Sequence, residues 1–298
     1  ASDVYKRQDG ITEAVHAAVP EMLDHFLRAD DPVAVKQKIF QKCAFFPGES
    51  QRRAIYTGFS CTCVKGNAAA SQADILLDKF ASGKAADAGF GIELDIQLTK
   101  DKIPVVFHDF TLKRVCGGEG KISDYTYEEL QQFHLCDSVE KIPKFEDVLK
   151  MVDGKVPLIV EFKIERTDLS LCPIADKMLR AYKGMYCMES FNPLGVRWYR
   201  KNHPELVRGQ LSDAFLKEGE YVGVLYFILQ NLLLNFVTKP DFVAYNHHYP
   251  EILSRKLCRG LYHNTAAAWT IKSQKELDEA RKHFDIFIFD SFVPEAGK

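Results

Sequence analysis

From Gly91 onward, short apolar runs alternate with amphipathic segments, and this alternation limits the fold more than any other feature of the chain. The runs IELDI, IPVVFH, VPLIVEFK, MYCMESF, LVRGQL, DFVAYN, AAAWTI and DIFIFD have the length and apolar character of strands. Between most of them stand helical patterns: TYEELQQF, FEDVLKMV, CPIADKMLRAY, PLGVRWYRKN, the run from Tyr221 to Val237, PEILSRKLCRG and SQKELDEARKHF. Thr126 and Ser273 each precede a glutamate by three residues, the spacing of a capping box at a helix start. Strands separated by helices pair in parallel, because each crossover returns the chain to the same end of the sheet. Several runs also finish on a polar residue, among them Glu93, His108, Glu161, Ser190, Asn246 and Asp290. That pattern favours an α/β fold of the TIM-like (β/α)8 barrel type over an open sheet. Chemistry on a barrel gathers at the C-terminal strand ends.

Upstream the text is different. ITEAVHAAVPEMLDHFLRA and PVAVKQKIFQKCAFF read as helices broken at Asp30-Asp31-Pro32, Thr57–Val64 reads as a strand, and Ala73–Phe80 as a short helix. The expected division is a mainly helical N-terminal segment over residues 1–88 and a barrel domain over 89–298. Hydrophobic residues at 46% and charged residues at 27% supply a core for a globular chain. A net charge of −2 excludes broad electrostatic attraction to nucleic acid, so recognition of any phosphate has to be local. The eight cysteines include no CxxC pair and read as buried thiols in a reducing, cytoplasmic compartment. No basic stretch followed by an apolar one stands at the N-terminal end of the sequence. The most hydrophobic stretch, Tyr221–Val237, is short for a membrane span and is interrupted by Gln230, Asn231 and Asn235. It is expected to be a single helix in the core, or a lid making peripheral membrane contact.

The chemistry concentrates in GIELDIQLTKDKIPVVFHD, residues 91–109. Strand side chains alternate faces, so Glu93 and Asp95 stand side by side, which is costly unless they share a proton or a cation. The link QLTKDK is too short for a crossover helix. An extended return is expected to bring His108 to the rim that carries the acids, whereas a hairpin is expected to leave them at opposite ends. Glu161 and Lys163 repeat the spacing of two on a later strand, adding a third carboxylate and an ammonium suited to a phosphate. Three carboxylates suit one Ca2+ or Mg2+, and an imidazole supplies an acid/base group. The plainer readings are edge-strand acids beside a surface histidine, and a surface ion pair for Glu161 with Lys163. Asp109 reads either as orienting the His108 segment by accepting backbone hydrogen bonds or as a turn former, and His247-His248 as a solvated loop pair or, at the rim, as lining the pocket.

The stretch IELDIQLTKDKIPVVFHDFTLKRVCGGEGKISDYTYEELQQF resembles the signature region of the glycerophosphodiester phosphodiesterase family. IPKFEDVLKMV, PLIVEFK, ESFNPLGVRWYRKNHPELVRGQL, AYNHHY and AWTIKSQKEL follow in that family's order, so the resemblance runs over about residues 89–294. It implies a TIM-like barrel and a metal-dependent hydrolysis of glycerophosphodiesters to glycerol 3-phosphate and an alcohol. Position by position, it implies Glu93, Asp95 and Glu161 as metal ligands and His108 as one of two acid/base histidines. It also implies Lys163 beside the phosphate and Trp269 as a wall of the glycerol pocket. The chain departs from the pattern upstream: the family's His-Arg-Gly strand is not found, and no histidine stands between His25 and His108. That departure sets out an alternative, a catalytically impaired relative that binds a phosphodiester or a membrane partner through the barrel mouth.

Overall fold

A computed structural model of the chain describes residues 54–57, 90–136, 138–217 and 223–294. The helical patterns of residues 1–50, the Ala73–Phe80 helix and the missing His-Arg-Gly strand fall outside these residues. A short strand, β1 (Ala54–Thr57), is described; the strand expected at Thr57–Val64 lies outside them apart from its first residue. The described residues group into two compact units, one within 56–163 and 170–186, the other within 54–55, 164–169 and 187–294.

The first unit carries β2 (Gly91–Leu98), β3 (Pro104–Val106) and β4 (Leu158–Phe162). Its helices are α1 (Lys113–Cys116), α2 (Tyr127–Leu130), α3 (Phe145–Val152) and α4 (Leu171–Ala181). Helix α3 buries Phe145, Val148, Leu149 and Val152, one face at helical spacing, and leaves Glu146 and Lys150 outside as an i,i+4 ion pair. Helix α2 starts with the expected box: Thr126 accepts from the Glu129 amide, and the Glu129 carboxylate accepts from the Thr126 amide at 2.8 Å. Strands β2 and β4 pair in parallel from Ile92↔Leu158 to Ile96↔Phe162. All five β4 residues are buried, as a parallel strand covered on both faces should be.

The link between β2 and β3 corrects the expectation of an extended return. It is a hairpin, with Ile96↔Val106, Gln97↔Val105 and Leu98↔Pro104 paired antiparallel. The hairpin nevertheless leaves His108 beside the acids, because its arms are short and stand past the end of β4. The parallel ladder stops at Ile96, Gln97 and Leu98 run on beyond it, and the return strand needs only three residues to come back level. The Phe107 amide then donates to the Asp95 carbonyl at 3.0 Å. The expected return failed on direction, since β3 runs antiparallel to β2, and the expected separation of His108 from the acids by a hairpin failed on arm length. Behind the return strand, Val105 and Phe107 enter a cluster with Leu112, Val115, Ile122, Leu130, Leu135 and Ile142, built by the excursion over residues 110–142. Gly117, at φ +64°, closes α1 in the left-handed conformation that lets this excursion turn back.

The second unit carries β5 (Tyr186–Ser190), β6 (Arg208–Ser212), β7 (Phe242–Asn246), β8 (Thr265–Ile271) and β9 (Ile286–Phe289), each parallel to the next. Its helices are α5 (Pro193–Asn202), α6 (Val224–Gln230), α7 (Asn235–Thr238), α8 (Leu253–Tyr262) and α9 (Gln274–Ala280). Helix α5 has Asn192 as its cap, Pro193 in its first turn and Arg200 and Lys201 in its last. Ser273 caps α9 by accepting from the Glu276 amide, but Glu276 itself accepts from Lys272, so only half of that expected box forms. The guanidinium of Arg208 is buried at the start of β6, donating to the carbonyls of Pro204, Leu206 and Lys239.

Two further expectations are corrected in detail. The run 221–237 is not one helix: α6 and α7 are separated at residues 231–234, with Leu232 at φ +54°. The Gln230 carbonyl at the break accepts instead from the Tyr245 hydroxyl and the Ser254 hydroxyl. Cys172, Cys187 and Cys258 are buried thiols and Cys116 is a half-buried one, as expected, but Cys136 is disulfide-bonded. A fully reduced cysteine set does not describe this chain.

Candidate active site

The register of β2 and β4 builds the acidic cluster. Asp95 sits opposite Glu161 in the parallel ladder, Glu93 precedes Asp95 by two residues, and Lys163 follows Glu161 by two. All four therefore share one face of two neighbouring strands. The carboxylates are buried, with Glu93 7%, Asp95 2% and Glu161 6% exposed. One oxygen from each lies within 4.8 Å of the other two. Oxygens at opposite sides of a hard cation, each bonded at about 2.3–2.6 Å, are separated by about that distance, so the three donors fit one ion.

Charge makes the same point. Lys163 Nζ bonds Asp95 Oδ1 at 2.9 Å and Glu161 Oε1 at 2.7 Å, and its own side chain is 9% exposed. Among the described residues one ammonium stands among three carboxylates, and a buried acidic set of this kind favours a divalent cation. The carboxyls respond unequally. Burial works against an ionised Asp95, but the Lys163 charge and then His108 outweigh it and hold this carboxyl below its usual value. At Glu161 burial wins over Lys163, with the Asp95 charge adding to it, and the carboxyl is pushed up to about 8. Burial also opposes the Lys163 charge, yet the two carboxylates hold the ammonium firmly protonated. The donors are all carboxylate oxygens, a set that suits hard divalent metals.

His108 follows directly on the return strand. Its neighbour Phe107 is anchored in the apolar cluster, while the His108 side chain is one third exposed. His108 Nδ1 lies 2.7 Å from Asp109 Oδ1. Asp109 also accepts two bonds from Arg114, from Nε at 2.6 Å to Oδ2 and from Nη2 at 2.7 Å to Oδ1. With Nδ1 committed to Asp109, Nε2 is the ring nitrogen left to exchange a proton with a ligand. Asp109 thus orients His108 through a side-chain contact to the ring, and not by the expected acceptance of backbone hydrogen bonds. Gln97, on the same β2 face as Glu93 and Asp95, adds a second restraint. Its amide donates to the carbonyls of Phe107 and Asp109, at 2.6 and 2.8 Å, and pins the backbone on either side of His108.

Arg114 and Gln97 went unread in the sequence. The signal for Gln97 was its place two residues past Asp95 on an already chemical face. Arg114 had no comparable signal, because a five-residue offset across a turn fixes no direction.

Burial opposes the charge on Asp109, but the hydrogen bonds from His108 and Arg114 outweigh it and hold the carboxyl well below the ordinary carboxylate range. A carboxyl with a depressed folded value contributes stability above its unfolded value of about 3.9 and loses it as pH falls through the folded value. Urea midpoints measured against pH are therefore expected to fall steeply below about pH 4 in the native chain, and less steeply in Asp109→Asn. Parallel curves for the two proteins would show that Asp109 makes no such contribution.

Trp269 lies on β8, in the other compact unit from the acids and His108. Its ring packs edge-on against Phe191 at 5.6 Å, and its indole Nε1 is buried with no hydrogen-bond partner. His247 departs from the expected solvated pair: its side chain is only 6% exposed, with its ring 4.0 Å from that of His248. Burial, with the His248 charge second, lowers the His247 value.

A protein-family model described as the glycerophosphoryl diester phosphodiesterase family matches residues 80–283. Among curated proteins, glycerophosphodiester phosphodiesterase 1 of Bos taurus is 38% identical over 252 residues, covering 71% of this chain and 72% of its own length. A glycerophosphodiester phosphodiesterase of Caldanaerobacter subterraneus is 34% identical over 139 residues, 43% of this chain and 57% of its own length. Among solved structures, a glycerophosphodiester phosphodiesterase of Thermotoga maritima superposes with TM-score 0.58 at 20% identity, over 80% of this chain and 93% of that one. An Oleispira antarctica phosphodiesterase in complex with the product sn-glycerol-3-phosphate superposes with TM-score 0.59 at 18% identity, over 71% and 85%. The likeness to these structures agrees with the α/β barrel read from the strand–helix alternation. With the match to its family model spanning most of the barrel region, the chain belongs to the glycerophosphoryl diester phosphodiesterase family.

Proposed function

We propose that this chain hydrolyses glycerophosphodiesters to glycerol 3-phosphate and an alcohol, using one divalent ion, Mg2+ or Ca2+, held by Glu93, Asp95 and Glu161. The observation that carries the reading is the buried carboxylate triad standing level with a histidine whose Nδ1 is already tied to Asp109. The bound ion would offset phosphate charge and polarise the phosphoryl oxygens. Lys163 fixes the positions of Asp95 and Glu161 and adds positive charge beside the phosphate. Water adds to phosphorus and gives up a proton to solvent, the bond from phosphorus to the alcohol oxygen breaks, and His108 Nε2 gives the departing oxygen its proton and is recharged from solvent. Asp109, clamped by Arg114, keeps the ring turned for that transfer. The family resemblance alone assigns Trp269 to a wall of the glycerol pocket. Contact with a lipid surface through the 221–237 run belongs to the same reading, since glycerophosphodiesters derive from phospholipids.

The upstream departure from the family pattern supports the second reading, a relative that binds such a diester without turning it over. Release of glycerol 3-phosphate from glycerophosphocholine separates the two. Turnover is expected with Mg2+ or Ca2+ and is expected to stop on chelation. Release no faster with either ion than with chelator present would favour the binding protein.

A further inference from the structure

Helix α8 is inside out. Its buried residues are Ser254, Arg255 and Cys258, while Leu253, Leu257, Leu261 and Tyr262 are 67%, 47%, 68% and 55% exposed. The three leucines recur every four residues and so form one stripe along the helix. The Arg255 guanidinium is held inward by the carbonyls of Pro250 and His283 and by the ring of Phe284, which fixes the leucine stripe outward. Helix α6 adds to the same surface. It buries Leu225, Tyr226 and Leu229 against Phe215, but leaves Val224 70% and Phe227 51% exposed, and Leu233 follows at 44%. Ser254 bonds the Gln230 carbonyl, and the Asn235 amide lies 3.8 Å from the Cys258 sulfur, so α8 and the α6–α7 segment are side by side. Seven of the ten large apolar side chains exposed among the described residues fall on these two neighbours. Such crowding marks a contact surface, whereas isolated exposed apolar residues do not.

We propose that this face, α8 together with α6, is the surface by which the chain rests on an anionic lipid bilayer, a proposal that deepens the lipid-contact element of the function above. The charges choose lipid over a second copy of the chain. Neither helix carries an acidic residue, whereas Lys256 and Arg259 stand on α8 and Lys239 follows α7. The carboxylates paired with Lys256 and Arg259, Glu251 and Asp285, lie off the helix. A two-fold contact between two such faces would bring cations against cations, while anionic headgroups would meet them. No helix among the described residues is long and apolar enough to cross a membrane. The geometry is that of short helices lying in the interface, with Leu and Phe side chains entering the acyl boundary and the basic residues reaching headgroups.

Flotation of the full chain with vesicles of phosphatidylcholine and phosphatidylserine tests this. The native chain is expected to float, and to float less with phosphatidylcholine alone. Phe227→Ser with Leu257→Ser is expected to weaken binding at least about tenfold, since each substitution withdraws a large apolar side chain from the interface. Leu253→Ser with Leu261→Ser provides a second variant should the first fail to fold, and circular dichroism reports on folding in both. A native chain that stays unbound with both vesicle types would overturn the proposal. So would folded variants that float as well as the native chain. Self-association lost in the same variants, without vesicle binding, would assign the face to a second copy instead. Hydrolysis of soluble glycerophosphocholine is read separately: its absence would count against the proposed function and not against this surface.

Discussion

Asp95→Asn is expected to remove divalent binding and lower glycerol 3-phosphate release by at least about a thousandfold, the worth of several kcal/mol of charge stabilisation at the phosphoryl group. Asp95 is the centre of the cluster. It stands beside Glu93 on its own strand, opposite Glu161 in the ladder, and within 2.9 Å of the Lys163 ammonium. The asparagine has nearly the same shape, so packing survives, but the carboxylate cluster loses one negative charge and one strong oxygen donor. Titration calorimetry with Mg2+ and Ca2+ reads the first effect, and the glycerophosphocholine assay reads the second. A variant that binds the ion and turns over like the native chain would remove Asp95 from the metal centre and leave the proposed function without its main support.

The second large effect is that of His108→Ala. Loss of the acid is expected to cost about 10²–10⁴-fold in kcat, with metal binding unchanged, because His108 supplies no donor to the carboxylate cluster. The split between the two measurements carries the argument. A metal ligand lost would move both, whereas a proton donor lost moves only the rate. The native rate and the His108→Ala rate both lying at background would point to the impaired relative, for which the upstream departure in sequence already speaks. A robust native rate that survives the substitution would pass the acid role to a different group.

The acidic cluster and the hairpin beside it show how far one-dimensional reading reaches. The period of two placed Glu93 with Asp95 and Glu161 with Lys163 on common faces, because strand side chains alternate whatever the surroundings. Apolar runs broken by helical patterns led to parallel α/β pairing for a similar reason: each local pattern admits few partners. The helix break at 231–234 was not legible, since it depends on Tyr245 and Ser254, distant in sequence, taking up the Gln230 carbonyl. Burial of His247 was equally invisible in a His-His pair at a strand end. For α8 the leucine spacing was plain, but a stripe of leucines ordinarily signals the side that faces the core. Here the inward side is held by Arg255, whose carbonyl partners come from elsewhere in the chain.

By itself, then, the sequence determined the element types over the described barrel region, the family, and which side chains share a strand face, all consequences of local periodicity and of motif order along the chain. The tertiary structure decided register and level. That Asp95 meets Glu161 rather than a neighbour two residues away is a property of the β2–β4 ladder. That His108 stands level with the acids follows from a hairpin three pairs long that begins at Ile96, where the β2–β4 ladder ends. The Asp109–Arg114 clamp also belongs to the folded chain, since it needs the cluster around Leu112 and Val115 to turn the chain back. These are distances between segments, and alternation along a single strand carries no information about them.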